Sequence, residues 1–349
     1  MQVYIRSSGN ISPQHSLEKD LFFAHREMQD GNRWHAVEPE YSRYVDSKMI
    51  RRMSRIVRMG VAASKACLDE AEVRMPSGIV TGTAYGCLED TGIFLRRMID
   101  NQEELLTPTA FIQSTHNTVG AQIALLLKCH GYNNTIVHRG FSFENALMDA
   151  MLLLREGMDN VLAGAIDEIT EDSHAILSRF GLYIPAIDNP EITAKTHKGS
   201  VAGEGASFFL LSSQEIHGAR AILRGISTIY KPESLAGVES RIHAFLKESS
   251  VLSDGIGLVL SGANGDGDHD EIDNYLSATA FRNKTIVPFK QLCGEYPTAS
   301  GFALWLAVLL ISEQKTPDWL PNVSFPLRNI LIHNHYDNNH HALYLISAC

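Results

Sequence analysis

The densest group of side chains able to do chemistry lies at 138–144. There the short apolar strand Thr135-Ile-Val137 runs through His138-Arg-Gly-Phe-Ser-Phe-Glu144 into a helix read over 143–156. A nucleophile at such a strand-to-helix elbow faces backbone N–H groups and the positive end of the helix dipole, which stabilise an alkoxide or a thiolate. Ser142 is therefore a candidate nucleophile, with His138 as its base, for a hydrolase or acyltransferase. The competing reading is a turn serine, because Gly140-Phe-Ser142-Phe-Glu144 lacks the second glycine of the hydrolase elbow. Cys293, between Lys290 and Glu295, and Cys87, after the Gly86 turn, are further candidates, set against the usual fate of a free cysteine as a small buried apolar residue. Asn264-Gly-Asp-Gly-Asp-His-Asp270 is not a calcium loop: counted from Asp266, Glu271 takes the turn glycine's place and Ser277 the bidentate glutamate's. His333, His335, His340 and His341 read as a surface or pocket-lining loop, since no carboxylate or cysteine stands at a metal-motif spacing. The glycine turns at 82–86 and 262–267 lack the full dinucleotide run. Neither a metal nor a cofactor is expected.

The elements that must position these groups alternate between apolar strands and amphipathic helices, which favours an α/β architecture with helices covering sheet faces. Helices are expected at Lys48–Asp69, Gly120–Cys129, Phe143–Glu156 and Gly301–Ser312, and the polar stretch Pro185–Lys198 reads as a loop before Ala202-Gly-Glu-Gly205. The chain has 349 residues, 44% hydrophobic and 20% charged, enough to bury a large core. Its formal charge of −10 repels a phosphate backbone and argues against nucleic acid as a partner. The longest apolar runs, Ala121–Leu127 and Ala303–Ile311, fall far short of the roughly 20 residues of a membrane span. The N-terminal residues lack a secretory signal's pattern, and five scattered cysteines suit a reducing cytoplasm.

Set beside itself at an offset of about 180 residues, the chain repeats. Ile79-Val-Thr-Gly-Thr-Ala-Tyr-Gly86 meets Leu258-Val-Leu-Ser-Gly-Ala-Asn-Gly265, Phe111-Ile-Gln113 meets Phe289-Lys-Gln291, and the helix from Gly120 to Leu127 meets that from Gly301 to Val308. Each half ends on an apolar closing strand, 206–212 and 341–347. The expected halves are 1–213 and 214–349, with a seam near Ser213–Gly218.

Strand, elbow, helix and the later Val161-Leu-Ala-Gly164 strand together resemble a β-ketoacyl synthase of the thiolase superfamily. Ser47-Lys-Met-Ile-Arg-Arg-Met-Ser54 is similar to that family's early basic helix, and Asn117-Thr-Val-Gly120 to the helix beside its active site. Val201-Ala-Gly-Glu-Gly-Ala206 is similar to the strand closing its first half, and Lys290-Gln-Leu-Cys-Gly-Glu-Tyr-Pro-Thr-Ala-Ser-Gly301 to its lysine-to-histidine segment. The resemblance implies a duplicated five-layered αβαβα fold, two-fold association across the strand at Thr135–His138 and the helix at Asn117–Leu127, and condensation by one cysteine and two histidines acting as a unit.

Those groups are missing here. Counting from Gly157 puts Gly140 at the nucleophile position, and counting from Gly164 puts Arg139 there; the two histidines fall on Ser261 and Glu295. Lys290 is retained and is expected to form a salt bridge with Glu295. The family's glycine-rich pocket loop is replaced by 333–341, where His335, Tyr336, Asp337 and Asn338 are bulky and polar. The pattern resembles the chain-length factor, the non-condensing partner of an active ketosynthase, and the short N-terminal region is similar to degenerate synthases of aryl-polyene and flexirubin clusters. Such a subunit pairs with a ketosynthase or with itself in type II polyketide, aryl-polyene or fatty-acid-like synthesis. It binds acyl carrier protein through the residues matching Arg51 and Arg52, which share a basic face with Arg55 and Arg58. The alternatives are an acyltransferase or thioesterase using Ser142 or Cys293, and an active synthase with displaced catalytic residues.

Overall fold

The computed structural model describes residues 2–104, 106–185, 198–215, 218–321 and 323–349. Residues 186–197 of the stretch expected as a loop, Pro185–Lys198, and two residues of the expected seam, 216–217, lie outside them.

Ten strands form one sheet. They are β1 Val3–Ile11, β2 Gly78–Gly82, β3 Tyr132–Ile136, β4 Val161–Asp167, β5 Gly205–Ser212, β6 Ala221–Tyr230, β7 Leu258–Ser261, β8 Ile286–Pro288, β9 Asn329–Tyr336 and β10 His340–Ser347. The order is β3-β2-β4-β5-β1-β6-β10-β9-β7-β8. Read outward from the centre, β6-β10-β9-β7-β8 reproduces β1-β5-β4-β2-β3, with the same parallel and antiparallel pairings. The two runs join where Val3–Ile5 of β1 pairs antiparallel with Ala221–Leu223 of β6.

Strands such as β4 and β5 are buried along their whole length and mostly apolar because helices cover both faces. The Ser142–Arg155 and Ser300–Glu313 helices share one core with residues of both half-sheets, including Val80, Phe209, Leu260 and Tyr344. The Arg55–Glu70 and Thr118–Leu127 helices close a second core on the outer face of the first half, and Leu235–Glu248 with Glu271–Ala278 a third on the second half. The result is five layers, αβαβα. Every residue from Ser300 to Ile311 is buried, so this helix is hydrophobic all round rather than on one stripe.

Two expectations need correction. The helix read over 48–69 is broken into Ser47–Ile50 and Arg55–Glu70. Ser54 takes an extended conformation (ψ 169°) at the second helix's N-cap, and Arg51 and Arg52 stand exposed in the turn between. The helix pairing at the 180-residue offset also fails. The 300–313 helix follows β8 and precedes β9, so its counterpart is the 142–155 helix between β3 and β4, while the 118–127 helix corresponds to 271–278. Both mismatched segments are simply apolar, and apolarity does not say which layer a helix occupies. Among the described residues no helix is long and apolar enough to cross a membrane.

Arg55 turns inward from the basic helix and grips buried Glu204 through Nη1 and Nη2 of its guanidinium, while the N–H groups of Ala36 and Ile169 donate to the same carboxylate at 2.8 and 3.1 Å. Burial alone would raise the Glu204 pKa; hydrogen bonds from His35 and Arg55 and the Arg55 charge instead hold it down at about 2. Arg55→Leu strands that carboxylate without its cation and should lower the unfolding free energy by about 3 kcal/mol in urea melts. That is the lower end for a broken buried pair, because the Arg55 side chain keeps 26% of its surface exposed. A group whose folded pKa is depressed stabilises fully above its unfolded value, here 4.5, and loses its effect as pH falls toward 2. The gap between wild type and variant should therefore narrow over that window.

Candidate functional site

The elbow forms where β3 ends and the turn Arg139–Phe141 leads into the 142–155 helix. Arg139 sits at φ +45°, a left-handed conformation that a side chain adopts only under constraint. The constraint is close packing: a Cβ on Gly82 of β2 would lie 2.4 Å from the Ser142 carbonyl oxygen. At Gly140 a Cβ would approach the Tyr336 and His340 Cβ atoms to 2.9 and 3.0 Å, so no side chain fits there. Of the two positions to which counting assigns a nucleophile, 139 is the one with both the elbow conformation and room.

Ser142 is fully buried. Its Oγ accepts from the His138 backbone N–H at 2.8 Å and donates to the Arg139 carbonyl at 2.9 Å, while the His138 ring stacks on Phe141. These bonds make it the turn serine of the competing reading and give it no base.

Arg139 projects between two spaces. One is a cavity of about 630 Å³, lined among the described residues by Tyr85, Phe180, Lys198, His269, Tyr336 and Asp337 as well as Asp266 and Asp268. The other is an open groove with His138, Phe141, Tyr230 and His340 on its walls. The Tyr85 and Tyr336 hydroxyls meet at 3.0 Å. None of the five cysteines lines either space: four are buried and Cys349 is exposed.

The second half contributes Lys290 and Glu295. Lys290 Nζ donates to Glu295 Oε2 at 2.7 Å, with each side chain 1% exposed, and also to the His335 carbonyl. Glu295 is fixed by its backbone: its N–H donates to Val201 at 2.8 Å and its carbonyl accepts from Gly203 N–H at 2.9 Å. Only glycine fits at 203, since a Cβ there would lie 1.9 Å from the Cys293 carbonyl oxygen. Cys293 itself is fully buried, its Sγ against the Gly294 carbonyl, and burial pushes its thiol well above the usual range despite the charge of Lys290. It is a packed residue and not a reactive one.

Ser261 does not join Glu295; its hydroxyl donates to Asp273. The residue of that loop which does reach Glu295 is Asn264, whose Nδ2 donates to Oε2 at 2.7 Å. Sequence counting missed it, although the internal repeat already set Ala263-Asn264-Gly265 against Ala84-Tyr85-Gly86, the two loop tips that reach the site. Asp167, also missed, ties the halves together by accepting from Thr83, from the Ala84 and Tyr85 N–H groups, and from Thr298. Of the four residues expected in the pocket loop, Tyr336 and Asp337 line the cavity, Asn338 turns its carbonyl to His341, and His335 points into the protein toward Asp273. His333, His335 and His341 are thus buried strand residues and not a loop, whereas His340, also on a strand, does line the open groove.

Chemically, the cavity presents a cation at the elbow, paired tyrosine hydroxyls and a buried ammonium–carboxylate pair behind them. A guanidinium stays protonated and cannot attack a thioester. Residues 26–180 match the family described as the N-terminal domain of β-ketoacyl synthases. A putative polyketide β-ketoacyl synthase 1 of Streptomyces virginiae is 26% identical over 269 residues, which cover 71% of this chain. They cover 62% of that protein, so the chain spans about three fifths of the length of the curated relative it matches. The ishigamide ketosynthase/chain length factor superposes with a TM-score of 0.79 at 17% identity, over 100% of this chain and 99% of the other. A ketosynthase in complex with its chain length factor from Xenorhabdus doucetiae gives 0.75 at 14% identity, over 99% and 98%. The fold is therefore thiolase-like from end to end. Residues 26–180 are thus similar to the N-terminal domain of β-ketoacyl synthases.

Lys290→Met would leave Glu295 buried without its cation and should lower stability by about 3–5 kcal/mol, whereas adding Glu295→Leu to it should restore most of that loss. Urea melts of the single and double variants check this.

Proposed function

We propose that this chain is a non-condensing, chain-length-factor-like subunit that partners an active ketosynthase in type II polyketide, aryl-polyene or fatty-acid-like synthesis. In this reading it binds acyl carrier protein and helps set product length. What supports the reading is the elbow: Arg139 sits on it at φ +45°, no cysteine among the described residues lines the cavity, and Glu295, the position at which the family resemblance implies a histidine, is paired with Lys290. A carboxylate there opposes enolate formation. The two acyl-transfer alternatives lose their support, since Ser142 is bonded into its turn and Cys293 is sealed in the core.

Pairing with a second subunit has a suitable surface. β3 is an edge strand hydrogen-bonded to β2 alone, with Asn133, Asn134 and Val137 exposed beside it, and Leu125 of the neighbouring helix keeps 66% of its surface. An uncovered edge beside exposed apolar side chains is a template for association. Carrier docking falls to Arg51 and Arg52. Of the four arginines, Arg55 is engaged with Glu204 and Glu38 and Arg58 lies over the Tyr41 ring, which leaves the first two free to meet an acidic surface.

Two measurements bear on this reading. Arg51→Glu with Arg52→Glu should weaken carrier-protein binding at least tenfold in a calorimetric titration, and unchanged affinity would dispose of the docking site. Purified protein incubated with a radiolabelled acyl carrier thioester should form no denaturation-stable adduct; a labelled chain that loses its label on Ser142→Ala or Cys293→Ala would overturn the non-condensing assignment.

A further inference from the structure

Between β9, β10 and the 271–278 helix lies a buried group of side chains that the proposed function does not use. His333 and His335, two apart on β9, lie on one face of the strand. Asp273 meets them from the helix, and Asp270 stands one turn earlier at its N-cap. His335 Nε2 is 2.8 Å from Asp273 Oδ2, and His333 Nδ1 is 3.7 Å from Asp273 Oδ1. One donor atom each from Asp270, Asp273 and His335 lies within 4.8 Å of the others. That is the span two donors have across an ion they bind at about 2.0–2.4 Å.

The orientation of His333 points to a cation. The Asn338 carbonyl, 3.2 Å from His341 Nε2, can only accept, so that nitrogen carries the His341 proton and its Nδ1 is bare. His341 Nδ1 then accepts from His333 Nε2–H at 3.3 Å, which leaves a bare Nδ1 on neutral His333. This atom is on a fully buried side chain, has no hydrogen-bond partner, and faces the Asp273 carboxylate. A lone pair aimed at an anion in a dry interior is repulsive unless positive charge sits between them.

We propose that Asp270, Asp273, His333 and His335 form a binding site for a divalent transition-metal ion, with carboxylate oxygens and imidazole nitrogens as donors. Mixed nitrogen and oxygen donors suit zinc and its first-row neighbours better than calcium or magnesium. The supports that orient such ligands are mostly built. The Ser261 hydroxyl donates to Asp273, the N–H groups of Asn264 and Gly265 donate to Asp270 at 2.8 and 2.9 Å, and His341 holds His333; among the described residues nothing holds the outer ring nitrogen of His335, Nδ1. The expectation of no metal came from looking for donors close in sequence, whereas Asp273 and His335 are 62 residues apart. A bound ion would fasten the loop that carries Asn264 to the β9–β10 hairpin.

The test is a titration of tag-free, chelator-treated full chain with Co2+, whose visible absorption reports nitrogen and oxygen ligation. The expected result is saturation at one equivalent, displacement by Zn2+, and a higher melting temperature with the metal than without. Asp273→Asn and His335→Ala should abolish the signal, and His341→Ala should weaken affinity roughly ten- to hundredfold. His243→Ala, on the exposed face of another helix, should leave it unchanged. If the core variants fail to fold, Asp270→Asn, at the half-exposed helix start, should still weaken binding at least tenfold. Absence of stoichiometric cobalt binding, or full affinity in Asp270→Asn, overturns the site and leaves Asp273 paired with a protonated imidazole.

Discussion

The structure depends on one constraint: two helices, Ser142–Arg155 and Ser300–Glu313, must be buried together between two half-sheets. The Ser300–Glu313 helix has no solvent face from Ser300 to Ile311, which is why it carries no charge until Glu313, whereas Ser142–Arg155 keeps Leu152 and Arg155 exposed. Because the two runs of strands repeat one order, both helices begin at the same level of the molecule. Their N-terminal approaches, Arg139–Ser142 from one half and Lys290–Ser300 from the other, therefore meet across Asp167 and the Tyr85–Tyr336 contact. Glu144 adds a second tie, accepting from Ser300 and Tyr344 at 2.8 Å each while burial pushes its carboxyl up to about 7. The site is a by-product of this packing, and it exists whatever side chains occupy it.

What those side chains are decides the chemistry. A condensing centre needs a thiolate and hydrogen-bond donors at developing negative charge. Here the elbow carries a permanent cation, and the opposite wall carries a carboxylate neutralised internally by Lys290 and held by Asn264. The Lys290–Glu295 pair is sealed at 1% exposure, behind the cavity wall. The exposed Arg139 guanidinium and the tyrosines give the cavity a polar lining.

Much of this was legible in the sequence, unevenly. The elbow, the Lys290–Glu295 pairing and the equivalence of the β2 and β7 turns follow from local spacing, which short-range geometry preserves. The helix break at Ser54 was not legible, because the residues on both sides are good helix formers and only packing against Glu204 fixes where Arg55 must start. Apolarity alone misassigned the 300–313 helix. Ser261 and Asn264 are three residues apart on a turning loop, and a count cannot say which faces Glu295 when the backbone swings between them. The buried histidines are not legible as strand residues because a run of polar residues ordinarily signals solvent, whereas here two strands cross the interior and Asp273 meets His333 and His335 of β9.

The approach of β2 to the Ser142 turn at Gly82 has a wider consequence. The left-handed backbone at Arg139, disfavoured by about 1–2 kcal/mol, is imposed from below by a neighbouring strand and needs nothing from its own side chain. Shape at this corner is inherited from the scaffold, while reactivity is set by a single replaceable group. Two proteins can therefore superimpose through this corner, atom for atom along the main chain, and differ entirely in whether anything is turned over there.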